Sequence, residues 1–329
     1  MARPANPPKP LQPSSLDVLA VPALTFGAIV CAYTLERLDD LVAAIESLRA
    51  QTRELDQIVV VIDHNEQLLA VIGERFGGGV TFVENRHKQG LSGARNSGIE
   101  AIDTDIVAFL DDDAEASPEW AGRIVAHYED PSVIGAGGQV NPRWATQRPG
   151  WFPREFDWVV GCSYVGMPQQ IADVRNMIGA NMSLRRDVFE RVGVFSTEVG
   201  RVGKKPVGCE ETELCIRALA ETGGRIVYDP AATVDHKVTA ERATWSYFRT
   251  RCYMEGISKA HVVRLAGAGD GLSSERSYST KILPLGVLRG IGDAFRGRGA
   301  GIGRAASIVA GLLTTSFGYA RGRVSKVRV

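Results

Sequence analysis

Ile106-Val107-Ala108-Phe109-Leu110-Asp111-Asp112-Asp113 is the stretch whose reading decides the fold. Its short, continuous apolar run reads as a buried strand, covered on both faces as strands of parallel sheets are. The run ends abruptly in three carboxylates. In open sheets of this kind ligands sit beyond the carboxyl ends of the strands, so the acids stand where chemistry is expected. Asp111 and Asp113, two apart, can converge on one hard divalent cation, which favours oxygen ligands. A cation held there can bind the oxygens of a diphosphate and stabilise it as a leaving group. A solvated acidic turn before the next helix is the competing reading of the triplet taken alone.

Upstream, the same rhythm repeats. Thr25 to Ala32 reads as a buried strand, and Leu35, Leu38, Leu41, Val42, Ile45 and Leu48 follow at helical spacing. Ile58 to Ile62 is a second apolar strand ending at Asp63, Gln67 to Phe76 an amphipathic segment, and Val80 to Val83 a third strand. Gly90-Leu91-Ser92-Gly93 then turns into a helix expected from Ala94 to Ile102, with Ser92 as its N-cap. Strands alternating with helices predict an α/β domain with a mostly parallel central sheet flanked by helices. Asp63 and the Asp triplet fall on the same edge of that sheet.

Downstream, a Trp- and Pro-rich stretch (Trp144, Pro149, Trp151, Phe152, Pro153, Trp158) reads as a long loop. Its aromatics suit stacking on sugar rings and core packing equally well. A helix follows Asp187. Another starts near Glu210 and carries Leu214, Cys215, Ala218 and Leu219 on one face. Glu210-Glu211-Thr212-Glu213 opens that helix, where the dipole favours acids. A carboxylate there could also serve as a general base.

The chain has 329 residues, 44% hydrophobic and 23% charged, an ordinary globular composition. Residues 1–20, with five prolines, are expected to be a disordered leader. The five cysteines are scattered and lack any CxxC pair, which predicts reduced thiols in a cytoplasmic setting. No run of about 18 apolar residues suggests a spanning helix. Lys and Arg balance Asp and Glu at 38 each, yet residues 276–329 hold ten of the former and a single acid, Asp293. A folded domain over 21–265 and a basic, amphipathic helical appendage over 266–329 are the expected division. Such an appendage suits the anionic inner face of a membrane, or lies packed on the domain with its arginines solvated. No nucleic-acid partner is expected, since no such module is present.

Taken in order, Ala28-Ile29-Val30-Cys31-Ala32-Tyr33, Val61-Ile62-Asp63, Gly90 to Gly98 (GLSGARNSG), the Asp triplet and Glu210-Glu211 resemble family 2 glycosyltransferases of the GT-A fold. The resemblance covers residues 25 to about 236 and implies an inverting transfer from a nucleotide-sugar donor, a UDP-sugar, to an acceptor hydroxyl. It implies that Ala32, Tyr33 and Asp63 embrace the uridine, that Arg95 flanks the nucleotide pocket, and that Asp111 and Asp112 lie beside the nucleotide-sugar. Asp113 and Asp111 would bind Mg²⁺ or Mn²⁺, with His236 completing the coordination. Gly179, Ala180, Asn181 and Glu210 would line the donor-sugar and acceptor region, and Glu211 would be the catalytic base. The chain departs from the family in carrying Glu where that base is usually Asp, and in placing His64-Asn65 after Asp63. The tail, the Trp-rich segment and Glu255 to Ala260 are similar to the glucosyl-dolichyl phosphate glucuronosyltransferase subgroup, which implies a glycan or polyprenyl-linked acceptor. A nucleotidyltransferase would need a basic Gly-rich loop where Ala32-Tyr33-Thr34 stands. A silent sugar-nucleotide or membrane-binding module would not need intact Asp111, Asp113 and Glu211.

Overall fold

The computed structural model describes residues 24–76, 78–197, 208–266 and 277–324; the Pro-rich leader lies outside them. Strands β1 (Phe26–Ala32), β2 (Gln57–Ile62), β3 (Thr81–Glu84) and β4 (Ile106–Asp111) pair in the order β3-β2-β1-β4, all parallel. The crossovers are α1 (Leu38–Arg49), α2 (Glu66–Arg75) and α3 (Leu91–Ala101). Because strand side chains alternate between faces, Ala28, Val30 and Ala32 join Leu41 and Ile45 in one core. Ile29 joins Val61, Phe109 and Ile99 in another on the opposite face. The register pairs Ala32 with Ile62 and Cys31 with Asp111. The carboxyl ends of β1, β2 and β4 are therefore level, and Tyr33, Asp63 and the Asp triplet share one edge.

The second half extends the sheet with both polarities. It comprises β5 (Ala114–Ala116), α4 (Trp120–Ala126), β6 (Val133–Trp144), β7 (Ala172–Asp173), β8 (Met182–Arg185), α5 (Arg186–Val192), α6 (Glu210–Thr222) and β9 (Arg225–Val238). β8 is antiparallel to both β4 and β6, while β6 and β9 run parallel. The parallel character read from the sequence is thus that of the N-terminal half, and the sheet beyond β4 is mixed. β6 starts the stretch that the sequence left unassigned. Gly135, Gly137 and Gly138 conceal it, and they are glycines because Leu184, Met177 and the Asn181 and Ala232 carbonyls lie where their β-carbons would be. Trp144 therefore ends a strand rather than standing in a loop, and Arg154–Val160 form a helical turn. Helix α3 also starts earlier than expected. Gly90, at φ 133°, precedes it without a side-chain cap, and Ser92 is buried inside its first turn.

Helices α7 (Trp245–Ala266), α8 (Leu283–Phe295) and α9 (Ala300–Val324) follow among the described residues. The basic tail is not loose: Leu283 and Ile308 share a core with Phe152, Phe156 and Phe248. Its glycines argue against long helices on propensity, yet Gly286, Gly290, Gly301, Gly311, Gly318 and Gly322 are all buried. Gly311 lies on the Phe156 ring, Gly318 on the Tyr253 backbone, and Gly256 on the Thr315 carbonyl. Tertiary packing through these close approaches outweighs intrinsic preference. Gly318→Val should force α7 and α9 apart and cost about 1–3 kcal/mol by overpacking. Denaturant unfolding of the full chain checks this, and an unchanged midpoint would contradict it.

Candidate active site

Two cavities meet at the level strand ends. The smaller, about 70 Å³, is lined by Ala32, Tyr33, Arg37, Asp63, Gly90, Asp111, Asp112, Asp113 and Arg242. The larger, about 710 Å³, runs from Arg95, Asp111, Gly179 and Ala180 past Glu210 and Glu211 to α7 and the C-terminal helices. Leu91 and Asp111 line both, so they form one continuous cleft.

Asp63 is fixed at the smaller cavity. Gly90 N–H donates to its Oδ2 at 2.9 Å, Asn85 Nδ2 donates to its Oδ1 at 2.7 Å, and His64 Nδ1 lies 2.8 Å from Oδ1. Asn65 caps α2 through Leu68 N–H and donates to the Tyr33 carbonyl at 3.0 Å. The unusual His64-Asn65 pair is therefore spent on fixing the strand ends in place.

The Asp triplet is divided by its neighbours. Asp113 is buried and lies against an imidazole and two guanidinium groups: His236 Nε2 at 3.1 Å, Arg37 Nη1 at 3.2 Å and Arg242 Nη2 at 3.3 Å. Burial opposes its charge, but His236, Arg242 and Arg37 hold its carboxyl well below the usual range. Asp112 holds Arg37 at 2.8 Å, and its Oδ2 is buried without a hydrogen-bond partner. Burial and the Asp113 charge push Asp112 up. Asp111 is the more exposed of the three. Ligand atoms of Asp111, Asp113 and His236 lie within 4.8 Å of one another. Two carboxylates and an imidazole suit a divalent cation of the Mg²⁺ or Mn²⁺ kind, so the donor set fits the expected metal. Pairing of β5 with β9 sets this geometry, since Ala114 opposes His236 and Lys237 N–H donates to the Asp113 carbonyl at 2.8 Å.

Arg95 joins the triplet to the second acidic cluster. Its guanidinium lies 3.5 Å from Asp111 Oδ1, 3.2 Å from Glu210 Oε1 and 3.3 Å from the Gly179 carbonyl. A side chain at Gly179 would collide with Arg95 Nη2. Glu211, at the start of α6, lines the larger cavity, and burial together with the Glu210 charge pushes its pKa up to about 7.

The chain has recognisable relatives. The model of "Glycosyl transferase family 2" matches residues 28–193, about half of the chain. The chain belongs to glycosyltransferase family 2. The glucosyl-dolichyl phosphate glucuronosyltransferase of Haloferax volcanii is 38% identical over 236 residues, covering 71% of this chain and 75% of that protein. The pre-mycofactocin glycosyltransferase of Mycobacterium tuberculosis is 27% identical, covering 94% of this chain and 59% of that one. Among solved structures, a mannosyltransferase from Pyrobaculum calidifontis, in complex with GDP-Man and Mn²⁺, superposes with TM-score 0.60 at 17% identity. It covers 89% of this chain and 87% of its own. GalNAc-T7 with UDP, GalNAc and Mn²⁺ superposes with TM-score 0.53 at 16% identity, covering 78% of this chain and 54% of its own. At such identities the likeness is one of fold, and that fold is GT-A.

Within this family 2 glycosyltransferase most of the expected site residues line the cleft; His236, buried behind Asp113, and Asn181 line neither cavity. Asn181 is fully buried and away from the cavity wall. It accepts from Trp120 Nε1 at 2.8 Å and donates to the Ala232 and Gln139 carbonyls at 2.9 and 3.1 Å, pinning β8 to its neighbours. Asp112 lines the smaller cavity with one carboxylate oxygen held by Arg37. Arg37 and Arg242 were not legible beforehand: nothing in their spacing sets them apart from solvated surface arginines. Cys162 also escaped notice, though its Sγ lies 3.7 Å from His236 Nδ1. Arg95→Ala should strand Glu210 as a buried, unpaired charge and destabilise the fold by about 3–5 kcal/mol. Thermal and denaturant unfolding measure it, and a loss below about 1 kcal/mol would contradict the bridging role.

Proposed function

We propose that this protein is a metal-dependent, inverting glycosyltransferase that moves a sugar from a UDP-sugar to a hydroxyl of a lipid-linked or cell-envelope glycan. The observation carrying this reading is the Arg95 bridge from Asp111 to Glu210, which brings Asp111, a member of the Asp111–Asp113–His236 group, and Glu211 onto the wall of one cavity. Tyr33 and Asp63 would receive the nucleobase end, and Gly179 and Ala180 the donor sugar. Glu211 would take the proton of the acceptor hydroxyl as its oxygen forms a bond to the anomeric carbon. The bond to the UDP oxygen breaks on the opposite face, so the configuration inverts and no covalent enzyme intermediate forms. A Mg²⁺ or Mn²⁺ held by Asp111, Asp113 and His236 would supply positive charge for the departing diphosphate.

The activity for which the Haloferax relative is named, together with its identity and coverage, supports UDP-glucuronate as the first donor to test and a glycosylated polyprenyl phosphate as acceptor. The acceptor end of the cleft suits such an amphiphile. It mixes Arg251 and Lys259 with Phe156, Met167, Ile282, Leu283 and Leu312. Such an acceptor would place the activity at a membrane surface, and the five free cysteines suit its cytoplasmic face.

UDP release from a panel of UDP-sugars, with Mn²⁺ and with chelator, tests the reading. Release is expected only with metal, and Asp113→Asn should abolish it; equal release in chelator would overturn the metal role. Glu211→Gln should lower kcat by about 10²–10⁴-fold with little change in donor KM. Because a base must be ionised to accept a proton, kcat/KM should rise with pH through about 7 and level off above it. A profile flat between pH values of about 5.5 and 8.5 would remove Glu211 from the role.

A further inference from the structure

The C-terminal helices turn an apolar side outward. On α9, Ile302, Val309, Leu313, Phe317 and Val324 are exposed. At 100° per residue they fall within an arc of about 80°. Gly311, Gly318 and Gly322, which lie against Phe156, Tyr253 and Ala260, occupy the opposite side of the helix. On α8, Leu285, Leu288, Ile291 and Phe295 are exposed, Phe295 to 89%, while Gly286 and Gly290 face inward. Scattered exposed apolar residues need no explanation, but nine on two adjoining helices form a face that water does not stabilise.

Charge identifies what covers it. Lys281, Arg296, Arg298, Arg321 and Arg323 are exposed on the same segment. Its one acid, Asp293, is already held by Arg304 at 2.7 Å and Arg298 at 3.4 Å. A second copy docking on this face would set arginines against arginines with no carboxylate to meet them. A surface of anionic lipid headgroups over acyl chains satisfies both the arginines and the apolar stripe. Helix α9 is long and apolar enough to cross a bilayer by length and composition. Its glycine side, however, is fixed along α7 and the Phe156 turn, so it lies against the protein body as a helix in the plane of an interface does.

We propose that the outward face of α8 and α9 docks this protein on an anionic phospholipid surface. Ile282, Leu283, Leu312 and Ser316, from the same segment, line the acceptor end of the cleft. Docking would therefore present that end to the bilayer; this deepens, and in its use rests on, the lipid-linked acceptor reading above.

Flotation of the full chain with vesicles of phosphatidylcholine, alone or with roughly one-third phosphatidylglycerol, tests the proposal. The chain is expected to float with the mixed vesicles and about tenfold less with phosphatidylcholine alone. Two variants, Leu288→Asp with Leu313→Asp, and Arg321→Gln with Arg323→Gln, should each weaken flotation about tenfold. Their melting temperatures and metal-dependent UDP release from a soluble donor should stay as in the parent chain. Flotation with neither vesicle, or both variants floating like the parent, overturns the proposal. So does a stable dimer that the Leu variant splits, which would assign the face to a second copy. A parent chain that floats yet releases no UDP from any donor would sink the transferase reading and leave the docking face intact.

Discussion

Arg95 carries a positive charge into the interior of this protein, and distant parts of the chain converge on it. Asp111 reaches it from the end of β4, Glu210 from the start of α6, and the Gly179 carbonyl from the segment before β8. The rings of Phe109 and Phe195 lie 5.7 and 5.2 Å from the guanidinium carbon. A buried guanidinium without such partners would cost several kcal/mol of desolvation, so its presence fixes where those segments stand. The strand-end acids and the helix-start acids are separated by the span of one guanidinium. That constraint makes a single cleft out of two acidic clusters more than 90 positions apart in sequence.

The same economy of charge explains the Asp triplet. Three adjacent carboxylates in a buried setting repel one another, and each would tend to take up a proton. Arg37, Arg242 and His236 resolve this by surrounding Asp113 and leaving it ionised, while Asp112 carries the penalty and is pushed up. In the triplet Asp113 is ionised, Asp111 is half-open and Asp112 holds an arginine. Glu211 sits in the complementary condition, a carboxylate raised by burial and by its neighbour towards neutral pH. Asp113 and Glu211 are the same chemical group, set apart by surroundings.

The N-terminal half was legible because its physics is local. Continuous apolar runs ending in Asp63 and Asp111 announce buried parallel strands, and both acids stand on the predicted edge. Glu210 opens the helix its pattern foretold. What escaped notice depended on long-range contacts. β6 is hidden by glycines that exist to admit Met177 and Leu184, and α9 by glycines that meet α7 and Phe156. Asn181 resembles a sugar-contacting residue, yet Trp120, 61 positions away, claims its carbonyl oxygen. Arg37 and Arg242 become special only when the fold brings them to Asp113.

The central claim is that Asp111, Asp113 and His236 together hold a divalent cation on the cleft that Glu211 also lines. Anomalous diffraction at the manganese edge, from crystals grown with UDP and Mn²⁺, tests it most directly. One peak is expected, bounded by those three side chains, with UDP oxygens on its open side and Glu211 across the cleft. A peak elsewhere, or UDP bound with Asp113 still tied to Arg37 and Arg242 and no ion beside it, would contradict it.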